Sequence, residues 1–185
     1  TAGTTSETLE RDLTKYLIKY GHCNCSALDD NNQVIEFNVA SYIFQQLDED
    51  NLQFSIDVYR TIMELYRSEW ERLGEGVEVP SHIFINHHDP NISRVSIDLL
   101  TADDNYVISK IWEQKEVHIE SVEEQLAVAV PKAVSLYKWR YLDNRIAELQ
   151  ARLVVEGEDL ESIMALLAKY KSARVVISKN LGRLI

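Results

Sequence analysis

The residues best equipped for chemistry gather in one stretch, INHHDPNISRVSIDLL at residues 85–100, with His82 just before it. Imidazoles beside a carboxylate suggest a metal site or an acid–base pair. The spacing argues against both. A zinc-binding helix needs His at i and i+4 with a Glu between them. From His82 the offsets to His87 and His88 are five and six, with no Glu between. Pro90 instead drives Asp89 out of the helical region. An aspartate held there, with proline at the first helical position, is an N-cap. Its carboxylate is then taken by backbone N–H groups, and Ile92, Val95, Leu99 and Leu100 follow at helical spacing.

The other candidates fare no better. HCNC at residues 22–25 is half of a zinc knuckle, and no second ligand pair follows it. Two cysteines two residues apart give no disulfide framework and fit a reducing cytoplasm. Gly74 and Gly76 lack the Lys-Ser/Thr of a phosphate loop, and there is no G-x-S-x-G elbow. Trp70, Trp112 and Trp139 lie on or beside apolar stripes, where core packing explains them better than base stacking. The expectation is therefore a chain without catalytic chemistry, metal or cofactor. Its rival is a metal-dependent hydrolase built on His82, His87, His88 and Asp89.

Composition sets the frame for these residues. A length of 185 residues with 45% hydrophobic content suffices for a real core, and only 6 Gly and 3 Pro argue for long helices with few turns. Net charge is −11, unevenly spread: no Lys or Arg separates Lys19 from Arg60, and Asp29, Asp30, Glu36, Asp48, Glu49, Asp50 and Asp57 fall there. The last fifteen residues carry Lys171, Arg174, Lys179 and Arg183 and no acid. An acidic body argues against direct nucleic-acid binding, which needs clustered cations. No apolar run is long enough to span a membrane, no signal peptide is visible, and the missing initiator Met suggests a piece of a longer protein.

The elements read as follows. A first helix over Ser6–Tyr20 has Thr4 and Glu7 as a capping box, Leu9, Leu13, Tyr16, Leu17 and Tyr20 on one face, and Gly21 as its stop. Residues 22–33 read as a loop. A short helix over residues 39–47 is followed by a longer one that Ser55 caps, with Ile56, Tyr59, Ile62, Met63, Tyr66 and Trp70 as its stripe and Gly74 and Gly76 beyond it. A short helix over residues 80–87 precedes the Asp89 cap. Ser121 and Glu124 form a second capping box, and Pro131 either kinks that helix or begins a new one. Trp139, Leu142, Ile146, Leu149 and Leu153 recur at spacings of 3, 4, 3 and 4, and beyond VVEGED the pattern resumes at Leu160, Ile163, Leu167, Tyr170, Arg174, Ile177 and Leu181. That is an antiparallel pair of about 22 residues a helix, roughly 33 Å long at ~1.5 Å per residue. The expected fold is all-α: a multi-helix bundle over residues 1–120, then a long C-terminal helical hairpin over residues 121–185.

Five stretches in order, ERDLTKYLIKYG, VASYIFQQLDEDNLQFS, HHDPNISRVSIDLL, VPKAVSLYKWRYLDNRIAELQ and the ending NLGRLI, resemble the C-terminal region of bacterial replicative DNA primases of the Bacteroidetes type. The likeness runs from about Leu9 to Ile185, is weakest over residues 22–36, and rests on order and spacing rather than on any single motif. It implies a non-catalytic module, a helical bundle followed by a helical hairpin, that docks on the N-terminal region of the replicative helicase and couples primer synthesis to unwinding. The helicase contact in that family is a surface without a fixed motif, so its residues must come from physics. A projecting hairpin buries its seam and leaves two outer faces to a partner. On the last helix the candidates are Leu166, Tyr170, Arg174, Ile177, Leu181 and Ile185, of which Tyr170, Ile177 and Leu181 serve equally well as seam. Arg174 sits where an apolar residue is expected, so it needs an acid, either Glu148 or a carboxylate of the helicase. The remaining rival is an unrelated helical adaptor that uses the same hairpin for another partner.

Overall fold

Leucines at helical spacing, preceded by the hydroxyl run Thr4, Thr5 and Ser6, mark the chain's first helix in the sequence. The computed structural model describes residues 5–28, 33–102, 121–155 and 159–183. Helix α1 spans Ser6–Tyr20 and buries Leu9, Leu13, Tyr16 and Leu17. Thr4 lies outside the described residues; the cap is Thr5, whose Oγ1 accepts the Thr8 N–H at 3.2 Å.

Residues 22–33 correct the loop reading in part. Strand β1, Asn24–Leu28, pairs antiparallel with β2, Val34–Asn38, in the register Asn24↔Asn38 and Cys25↔Phe37. Cys25 points inward at 2% exposure while Asn24 and Ser26 face out. Burial pushes its thiol up to about 11, so at neutral pH the sulfur is an inert core atom. At the end of β2, Asn38 Nδ2 donates to the Cys23 carbonyl at 3.3 Å and its Oδ1 accepts the Ser41 N–H at 3.1 Å. One side chain thus closes the sheet and caps α2, Val39–Glu49.

Helix α3, Asp57–Leu73, starts differently from its sequence reading. Ser55 does not cap it; Ile56 holds the cap position and has no side-chain bond to offer. The carboxylate of Glu10, on α1 and only 1% exposed, does the work instead. Its Oε1 accepts the Ser55 N–H at 2.8 Å and the Ser55 hydroxyl at 2.7 Å, and its Oε2 accepts the Ile56 N–H at 2.9 Å. A negative group at a helix N-terminus also meets the positive end of the helix dipole. Helix α4 is shorter than expected, His82–Ile85. Helix α5, Pro90–Thr101, begins as the sequence predicts, with Asp89 Oδ1 accepting the Asn91 N–H at 2.8 Å.

The capping box of Ser121 and Glu124 opens α6, Val122–Arg152, which runs on through Pro131 as one 31-residue helix. Helix α7, Leu160–Arg183, returns beside it. The described residues therefore hold seven helices and one two-stranded sheet, an all-α architecture in the main. Two separate cores result. The larger takes α1 to α5, Cys25 of β1, and Leu126, Ala127, Val130, Val134 and Tyr137 from the first half of α6. Tyr66 anchors it, stacked on Phe84 with ring centroids 6.1 Å apart. Tyr137 fixes α6 to the turn before α3, donating from Oη to the Gln53 carbonyl at 3.0 Å with its ring edge-on to Phe54. The smaller core is Ile146, Leu149, Ile163 and Leu167, with Leu153 and Tyr170 against it.

Candidate functional site

The smaller core is the hairpin seam, and it covers only the end nearest the turn. Ile163 and Leu167 are buried against Ile146 and Leu149, and after Leu167 no described residue of α7 is fully buried. Polar contacts take over there. Arg174 Nη1 donates to Asp143 Oδ1 at 2.6 Å, and the guanidinium lies 5.9 Å from the Trp139 ring centroid. Trp139 Nε1 donates to Ser178 Oγ at 2.9 Å. The acid that satisfies Arg174 is therefore Asp143, not Glu148, which pairs with Arg145 on its own helix at 2.8 Å. Asp143 lies five residues before Glu148, well over one turn of α6, and faces Arg174 across the antiparallel pair.

Both partners of that ion pair are about a third exposed, so the bond is a latch of modest strength. Arg174→Ala is expected to leave the main thermal transition within about 2 °C of wild type. Amides of α7 beyond residue 170 are expected to exchange roughly two- to fivefold faster, which hydrogen exchange reads directly.

The other sequence candidates divide. Leu166 is 40% exposed, free for a partner. Tyr170 packs on the seam cluster, and Ile177 and Leu181 are half-buried. Tyr170, Ala173 and Ile177 form one wall of a cleft of about 440 Å³ whose other walls include Leu52, Tyr141 and Leu142. Ile185, like Trp112, lies outside the described residues. Leu160, expected in the seam, is instead 51% exposed.

The spacing argument named Leu166 and missed the rest of the apolar surface off the seam. Val154, Val155, Leu160, Met164, Leu166, Val175 and Val176 are all at least 40% exposed, and they account for seven of the thirteen large exposed hydrophobics among the described residues. The signal was present in the sequence as apolar residues surplus to a two-helix seam. Helix α7 packs along α6 and against no other described element to a comparable extent.

The histidine cluster is occupied locally. His87 Nδ1 accepts the Asp89 N–H at 3.1 Å, the His87 and His88 rings lie 4.2 Å apart, and Asp89 caps α5. His82 and His88 are exposed. Among the described residues no three His, Cys, Asp or Glu side chains converge on a metal-sized space. No described helix is long and apolar enough to cross a membrane.

No curated protein and no solved structure matches the chain. A family model does, over residues 1–184, and by that match the chain belongs to the family described as a domain of unknown function, DUF8430.

Proposed function

We propose that this chain is the non-catalytic helicase-docking module of a cytoplasmic DNA primase, which holds the primase on the N-terminal region of the replicative helicase and needs no cofactor. The observation that carries the reading is the state of α7. A helix of 24 residues, roughly 36 Å at ~1.5 Å per residue, is fastened along one side to α6 and presents exposed Leu160, Met164, Val175 and Val176 elsewhere. Exposed apolar side chains gathered on one projecting element mark a protein contact. The bundle beneath has its own core, so it serves as a rigid base for the helix pair. Order and spacing of the five primase-like stretches supply the identity of the partner.

Calorimetric titration of the chain into the replicative helicase of the same organism tests this. Saturable binding is expected, and it is expected to be lost in a chain truncated before Glu158. The main core draws nothing from α7, so the truncated chain is expected to keep its bundle. No heat of binding at tens of micromolar by the intact, folded chain would leave an adaptor with another partner as the better reading.

A further inference from the structure

Helix α7 offers a partner two flanks, and charge and exposure together select one. At about 100° per residue, Leu160, Met164, Lys171 and Val175 fall within an arc of roughly 60° on one flank of the seam. Leu166, Ala173 and Ile177 fall on the other flank. There Ala173 and Ile177 are half-buried over the cleft that Leu52 and Tyr141 line. On the first flank nothing is covered: Leu160 is 51% exposed, Met164 63% and Val175 53%.

The charges on α7 are the reverse of those on the rest of the chain. It holds Lys169, Lys171, Arg174, Lys179 and Arg183 against a single acid, Glu161, in a protein with 30 acids and 19 Lys and Arg. Carboxylates are thus abundant, and they pair with Arg60, Arg67, Arg72, Lys138, Arg145 and Arg174. Lys171, within the apolar stripe, and Lys179, one turn past Val175, take none from the described residues. An ammonium flanked by exposed methyl groups is complementary to a surface that alternates apolar side chains with carboxylates.

We infer that the stripe Leu160, Met164, Lys171 and Val175 is the docking face, and that its occupant is an acidic amphipathic helix of the helicase. The inference rests on the helicase reading above and adds to it the face used and the chemistry of the partner. Docked there, Met164 and Val175 lie against the partner's apolar strip, and Lys171 and Lys179 meet carboxylates on its margin.

The test titrates the full chain and three full-length variants into the purified helicase at low and high salt, with sedimentation of each chain alone. Met164→Glu combined with Val175→Glu is expected to weaken binding at least about tenfold. Lys171→Glu is expected to weaken it about fivefold at low salt, with the difference shrinking as salt rises. Leu166→Glu, on the opposite flank, is expected to change affinity less than about twofold. All four positions are exposed, so melting temperatures are expected to stay near wild type. Wild-type affinity in the stripe variants with loss in Leu166→Glu would overturn the chosen face and leave the helicase reading standing. Self-association of the wild-type chain that the stripe variants abolish would name a second copy, with its acidic body, as the occupant instead. No binding by wild type would overturn both.

Discussion

Replacing Glu10 with alanine is expected to destabilise the chain by about 2–4 kcal/mol and to lower its melting temperature by roughly 5–15 °C. Glu10 is the buried carboxylate that receives the Ser55 and Ile56 N–H groups and the Ser55 hydroxyl. A helix start has N–H groups with no partner in the helix. Alanine takes away the acceptor that these donors share at the junction of α1 with the start of α3. Loss of a charged acceptor costs more than loss of a neutral one. Glu10→Gln keeps the volume and one acceptor oxygen but turns an amide toward the remaining donor, so roughly half the loss is expected. A Glu10→Ala chain that melts within about 2 °C of wild type would show that Glu10 does not hold α3.

Gly21→Ala is the second large effect, and its cause is space alone. Gly21 has φ −57°, which alanine adopts without strain. Its Cβ, however, would stand 2.0 Å from Tyr66 Oη, 2.5 Å from the Leu17 carbonyl oxygen and 2.6 Å from Tyr66 Cζ. Tyr66 cannot step aside: it is 1% exposed and lies between Phe44 and Phe84. Either the ring or the turn after α1 must move, at about 2–3 kcal/mol. Because Tyr66 Oη is the nearest atom, Tyr66→Phe is expected to recover part of the loss. A double-mutant cycle of Gly21→Ala and Tyr66→Phe is therefore expected to be non-additive, with the pair more stable than the sum of the singles. Additive losses would place the clash elsewhere.

These two sites also show what the sequence could and could not reveal. Elements fixed by local chemistry were legible. The bounds of α1, the Asp89–Pro90 start of α5 and the Ser121–Glu124 box each depend on residues within one turn of one another. The cap of α3 did not, because its acceptor sits 45 residues upstream and Glu10 looks like any polar position on an amphipathic helix. Strands β1 and β2 escaped for a related reason. They are five residues each, β1 is poor in β-branched residues, and what fixes them is the bonding of Asn38 to Cys23 and Asn24.

The hairpin was readable as a period and misread in detail. A heptad-like repeat says that residues share a face, not how far the partner helix stays close. The apolar seam ends at Leu167, and Asp143, Trp139, Arg174 and Ser178 fasten the rest. Leu160, at the turn end, kept the spacing yet faces solvent, because at about 100° per residue it stands roughly 60° away from Ile163. The same spacing argument gathered the binding candidates on one arc, where Tyr170 and Ile177 turn partly inward, and overlooked Met164 and Val175 on the next.

Hydrogen exchange of the intact chain, alone and saturated with the replicative helicase, tests the docking of α7 most directly. Slower exchange concentrated in residues 159–183, with the bundle amides of α1 and α3 unchanged, is the expected result. Protection confined to the bundle, or none anywhere with the helicase in excess, would contradict it.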